Sequence, residues 1–313
     1  MEILLVVLMY AGWSSIFSLG KWLLAFSSPL FLTAFRMLFA GVLLSSYVFF
    51  RSRFRLKITK KQLLCYALLG LISIYLANAL EFWGLQHLSA AKTCFIYSLS
   101  PFFAAFFSYL HFGEKMTKKK WLGMLVGFLG FLPVLSIQTG SEDLLQTLGI
   151  FSLAELAIMG AALFSVYGWV LLRLLVKEEN TSPLQANGFS MLFGGFFSLM
   201  HSYCIDTWNP TPILEGYAWP FLQGMFFMTL ISNIICYNLY GFLLRKYSAT
   251  FLSFMGLLSP IFASFISWIF LGEAPSPVLF LSTGIICIGL WIMYREELQQ
   301  GYVVRSEPEK ASS

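Results

Sequence analysis

The sequence predicts an all-α integral membrane protein of ten transmembrane helices, built as two inverted five-helix repeats with both termini cytoplasmic. Three observations carry this. Of 313 residues, 58% are hydrophobic and only 11% charged, and mean hydropathy is +0.76. A soluble domain carries about 25% charged residues, so this chain lacks the polar surface to face water all round. The basic residues gather in alternate loops, and one sixteen-residue block occurs twice.

Ten apolar runs are expected to span a bilayer: 3–22, 29–50, 62–83, 90–111, 119–137, 149–174, 184–204, 219–243, 248–271 and 277–294. Each is close to the roughly 20 residues that cross about 30 Å of hydrocarbon. The first run has no basic segment before it and reads as a retained span rather than a signal peptide. Breakers such as Ser28-Pro29, Gly113-Glu114, Ser182-Pro183 and Asn209-Pro210 separate the runs. The segment 295–313 is polar, lacks an apolar face and is expected to be a disordered cytoplasmic tail.

If the N-terminus and every second loop share one side, that side receives 17 of the 20 Lys and Arg residues. Basic loops stay in the cytoplasm, which fixes the expected orientation. The net charge of +5 therefore reflects topology and membrane lipids, and gives no sign of a nucleic-acid partner. The five cysteines are scattered through apolar runs without metal-ligand spacing, so no metal and no cofactor is expected.

LSPFFAAFFSYLHFGE (99–114) and LSPIFASFISWIFLGE (258–273) share nine of sixteen residues without a gap. Pro29 and Gly41 match Pro183 and Gly195 at the same spacing. The halves are thus 1–137 and 149–294. Five spans per half force the second half to insert upside down, and such repeats hold substrate near the bilayer midplane. Pro101 and Pro260 are expected to kink their spans. Glu114 and Glu273 are expected to cap the helices that follow them.

On this repeated block and the paired five-span halves, the chain resembles the drug/metabolite transporter superfamily, EamA branch. The resemblance implies a secondary transporter with a central cavity and alternating access. Within that branch the sequence is similar to the carriers by which obligate intracellular bacteria exchange S-adenosylmethionine for S-adenosylhomocysteine across the inner (cytoplasmic) membrane.

An ionisable residue inside a span is costly and is a site candidate by default. Arg36, Glu81, Lys92 and Glu155 all fall in the extracytoplasmic half of their spans. None has a charged mate in the other half: the repeat register pairs Glu81 with Asn238, Arg36 with Ser190 and Lys92 with Phe251. Asn78 lies one turn from Glu81 on the same face. Asn238, Trp13 and Tyr97 complete the expected substrate-binding set. Under the resemblance, a substrate carboxylate meets Arg36 or Lys92, and its cationic groups meet Glu81, Glu155 or an aromatic face. The adenine stacks on Trp13 or a tyrosine. The competing reading is a proton-coupled exporter of amino acids or drugs, with Glu81 or Glu155 carrying the proton. No nucleophile elbow, HExxH or Walker A sequence is present, so no enzymatic activity is expected.

Overall fold

The structure is a computed structural model that describes residues 2–53, 56, 58–88, 93, 96–138, 152–259, 261–262 and 277–302. Among these residues the chain is helical, with one isolated bridge between Ser27 and Ile213. The helices are α1 (Glu2–Leu23), α2 (Pro29–Arg51), α3 (Lys60–His87), α4 (Ser100–Phe112), α5 (Lys118–Gln138), α6 (Leu153–Glu178), α7 (Pro183–Ile205), α8 (Ala218–Leu243), α9 (Ala249–Leu258) and α10 (Pro277–Gln299). Among the described residues, α1, α2, α3, α6 and α8 are long and apolar enough to cross a membrane.

Local chemistry sets the boundaries. Ser28 and Ser182 cap α2 and α7, accepting from Phe31 N at 3.3 Å and Gln185 N at 3.2 Å, each with a proline just inside the helix. A side-chain oxygen there satisfies an orphan N–H, and proline lacks an N–H to orphan. Thr59 and Gln62 close a reciprocal capping box on α3. Gly113 ends α4 at φ 63°, a left-handed conformation that glycine adopts without strain.

Helices at matching places in the sequence repeat pack on each other: α2 lies along α7, and α5 along α10. At the first pair, glycines let the backbones approach closely. A Cβ at Gly41 would lie 2.8 Å from Leu192 N, and one at Gly195 would lie 2.9 Å from Leu38 N. α3 packs on α6, and α1 packs on α8 and α9.

Both α3 and α8 carry a π-helical segment at mid-length, Gly70–Leu76 and Thr229–Cys236. Ala77 N–H bonds Ile72 O and Tyr237 N–H bonds Ser232 O, each five residues back. Their last residues, Leu76 and Cys236, are 160 positions apart. They pair Asn78 with Asn238, which corrects the register that set Glu81 opposite Asn238.

One end of the bundle holds buried charges. Glu114 pairs with Arg173, whose guanidinium lies 4.2 Å from the centroid of the Phe112 ring. Lys120 pairs with Glu297 at 3.0 Å, and Ser248 Oγ lies 2.7 and 2.6 Å from the two Glu297 oxygens. Three expectations are corrected here. The last helix continues to Gln299, past the boundary expected at 294, because Glu297 has a buried cation to meet. Glu114 does not cap α5: it turns to Arg173, and Thr117 Oγ1 accepts from Lys120 N instead. Pro101 does not kink a continuous span; it stands in the first turn of α4, after a break at Ser98–Leu99. Pro260, Glu273 and residues 303–313 lie outside the described residues.

Candidate functional site

A cavity of about 160 Å³ opens between α1, α2, α3, α6, α8, α9 and the start of α4. Its lining includes one cation, Arg36, and one anion, Glu81. Arg36 comes from α2 and is 2% exposed. Its Nη2 donates to Asn78 Oδ1, its guanidinium carbon lies 4.9 Å from the centroid of the Phe82 ring, and its Nε has no hydrogen-bond partner among the described residues. Glu81 lies one turn beyond Asn78 on α3 and accepts from the Tyr97 hydroxyl at 2.7 Å. Among the described residues, neither Arg36 nor Glu81 makes an ion pair. Each charge is held by a neutral partner and faces the same space.

Aromatic rings form another wall. Trp13 on α1 meets Trp169 on α6 at 5.6 Å between ring centroids and Tyr237 on α8 at 6.0 Å. Trp169 and Tyr237 are 5.3 Å apart. Tyr10 joins Trp13 edge-on at 5.6 Å and is fixed by its hydroxyl donating to Leu252 O at 2.6 Å. Such faces stack a heterocycle and attract a cation. Six serines, Ser98, Ser100, Ser165, Ser232, Ser253 and Ser259, supply hydroxyls that donate or accept. The wall therefore offers a fixed cation, a fixed anion, aromatic faces and adaptable hydroxyls, which suits a zwitterion bearing a ring.

Of the residues expected from sequence, Arg36, Asn78, Glu81, Tyr97 and Trp13 line this cavity. Glu155 does not. It is buried at 4% exposure as the third residue of a capping box: its Oε2 accepts from Ser152 N at 2.6 Å and Ser152 Oγ accepts from Glu155 N at 3.3 Å. The Ser152-x-x-Glu155 spacing is itself the signature of that box. Asn238 also lies off the lining; its Oδ1 accepts from Asn187 Nδ2 at 3.0 Å. Lys92 lies outside the described residues. Lys21 sits at a helix end, with Nζ donating to Leu88 O at 2.6 Å. Trp169, Tyr237 and the serines are the residues that sequence reasoning missed. No sequence signal marks Trp169 and Tyr237 among the many aromatic residues of the spans; only the fold brings them to Trp13.

Comparisons with known proteins bear on this arrangement. A family model described as EamA-like transporter family matches residues 1–136 and 152–295. A Chlamydia muridarum protein named S-adenosylmethionine/S-adenosylhomocysteine transporter is 42% identical over 309 residues, covering 98% of this chain and 96% of its own length. A protein of the same name from Chlamydia trachomatis serovar L2 is 41% identical over 308 residues, covering 98% of this chain and 93% of its own. A solved crystal structure aligns with a TM-score of 0.71 over 94% of this chain and 98% of the other, at 16% identity, a likeness of fold alone.

Proposed function

Because the chain belongs to the EamA-like transporter family, we propose that this transporter takes up S-adenosylmethionine in exchange for S-adenosylhomocysteine. The observation that carries the reading is the cavity in which Arg36 and Glu81 have no ion-pair partner among the described residues, each resting on a neutral one. A substrate with a carboxylate and an ammonium on one carbon supplies the missing counter-charges as charge-assisted hydrogen bonds. The carboxylate binds Arg36 and the ammonium binds Glu81, whose geometry Tyr97 holds. The sulfonium lies against an aromatic face, and the adenine stacks on the Trp13–Trp169 wall. The ribose hydroxyls meet serines.

S-adenosylhomocysteine differs by one methyl group and its charge. It keeps the amino-acid end and the adenine, so the same contacts serve both directions of an exchange. The names and near-full-length similarity of the two chlamydial relatives support this substrate pair.

The wider frame is part of the proposal. Ten spans form two inverted five-helix halves, 1–137 and 149–294, with both termini in the cytoplasm of a bacterial cell. The pairing of α2 with α7 and α5 with α10, the matched π segments and the basic loops on one side support it. Alternating access then moves the halves about a central site.

The test is exchange in proteoliposomes. Vesicles preloaded with S-adenosylhomocysteine should accumulate labelled S-adenosylmethionine faster than empty ones. Absence of uptake under both conditions overturns the substrate. Uptake driven by a pH gradient alone, without counter-substrate, would favour the proton-coupled reading with Glu81 as carrier.

A further inference from the structure

We infer that Asn78 is a positioning residue for carboxylate recognition, acting through Arg36. The inference rests on the reading of Arg36 as the carboxylate anchor.

A π turn breaks the regular i to i−4 ladder and leaves carbonyls that need donors. In α3, Asn78 Nδ2 supplies them, donating to Ser73 O at 3.1 Å and Ile74 O at 2.9 Å. In α8, Asn238 Nδ2 donates to Asn233 O at 3.3 Å and Ile234 O at 2.9 Å. Both asparagines reach back five and four residues. With the amide nitrogen committed to the backbone, the amide plane is fixed and Oδ1 points in one direction.

The halves differ in what that oxygen receives. Asn238 Oδ1 takes Nδ2 of Asn187 from α7, away from the cavity lining. Asn78 Oδ1 takes Nη2 of Arg36 from α2, the helix that corresponds to α7. The same clip is neutral in one half and holds a cation in the other. An arginine side chain samples many rotamers, and a free guanidinium would lose that freedom on binding. The clip holds the side chain in place over Phe82 beforehand, while Nε remains without a partner among the described residues. Asn78 is neutral, so it holds Arg36 without cancelling the charge the substrate needs.

The experiment compares Asn78→Asp with Asn238→Asp in the purified full-length chain. Both variants put a carboxylate against the carbonyls of a π turn, so both carry the same structural burden. Only the first puts it against Arg36. The readout is the ratio of dissociation constants for S-adenosylmethionine and its decarboxylated analogue, measured by titration in detergent. Asn78→Asp should reduce the wild-type preference for S-adenosylmethionine at least about tenfold, because a built-in carboxylate occupies the anchor and a hydrogen bond to a charged group is lost. Asn238→Asp should leave the ratio within about twofold, as for sites without a shared partner. An unchanged ratio in Asn78→Asp, or equal changes in both variants, overturns the positioning role and leaves the substrate reading intact. Failure of the wild-type chain to bind either compound overturns the substrate reading, and this inference with it.

Discussion

Gly41 and Gly195 do the same work on facing helices: a Cβ on either would lie within 2.9 Å of a backbone nitrogen on the other helix, Leu192 for Gly41 and Leu38 for Gly195. An alanine at either position therefore pushes α2 and α7 apart. Gly41→Ala and Gly195→Ala should each destabilise by about 1–3 kcal/mol through overpacking. Gly284→Ala, with nothing within 4 Å, should stabilise by about 0.5–1 kcal/mol because a helical glycine gains a side chain at no steric cost. Melting temperatures in detergent should fall for the first two and rise for the third.

Lys120 and Glu297 are 1% and 0% exposed as a pair. Lys120→Met alone should destabilise by about 3–5 kcal/mol, because it leaves a buried carboxylate without its cation. The double variant Lys120→Met with Glu297→Leu should recover most of that loss. A double-mutant cycle on melting temperature measures the coupling.

Arg36→Ala should weaken S-adenosylmethionine binding by about 10- to 100-fold, the range of one lost charge-assisted contact. Arg36→Lys should not restore it, since a lysine cannot hold Asn78 and present a planar fork at once. Titration of each variant with S-adenosylmethionine checks both.

Glu81→Gln should raise the half-saturating concentrations of S-adenosylmethionine and S-adenosylhomocysteine together, because both carry the same ammonium. An analogue without the amino group should show a change of about twofold or less. Competition for labelled uptake in proteoliposomes separates the cases.

Trp169→Leu removes an aromatic face worth about 1–3 kcal/mol per stacked base. The variant should bind both adenosyl compounds more weakly. Methionine, lacking the ring, should compete equally well against either form, as read by displacement of label.

The helices were legible because a bilayer imposes length and polarity on every span. The run expected at 219–243 is α8 (Ala218–Leu243), and the Ser-Pro pairs gave the starts of α2 and α7. Arg36 and Glu81 were legible for the same reason: a charge among apolar residues stands out, and it needs a purpose. Trp169 and Tyr237 did not stand out, because aromatic residues make up 18% of the chain and most of them pack. The π segments carry no composition signal at all, so the register between Asn78 and Asn238 emerged only from backbone geometry. Glu155 carries two signals at once, a charge at depth in a span and the third place of a Ser152-x-x-Glu155 box, and the structure forms that box.

Arg36 and Glu81 share a cavity without closing on each other, since Asn78 and Tyr97 keep each charge on its own side. An empty site whose charges had collapsed into a pair would have to be pulled apart before every loading event. That separation would add to the activation barrier of each half-cycle. With Arg36 on Asn78 and Glu81 on Tyr97, no such rupture precedes loading: the resting site resembles an open jaw more than a closed clasp.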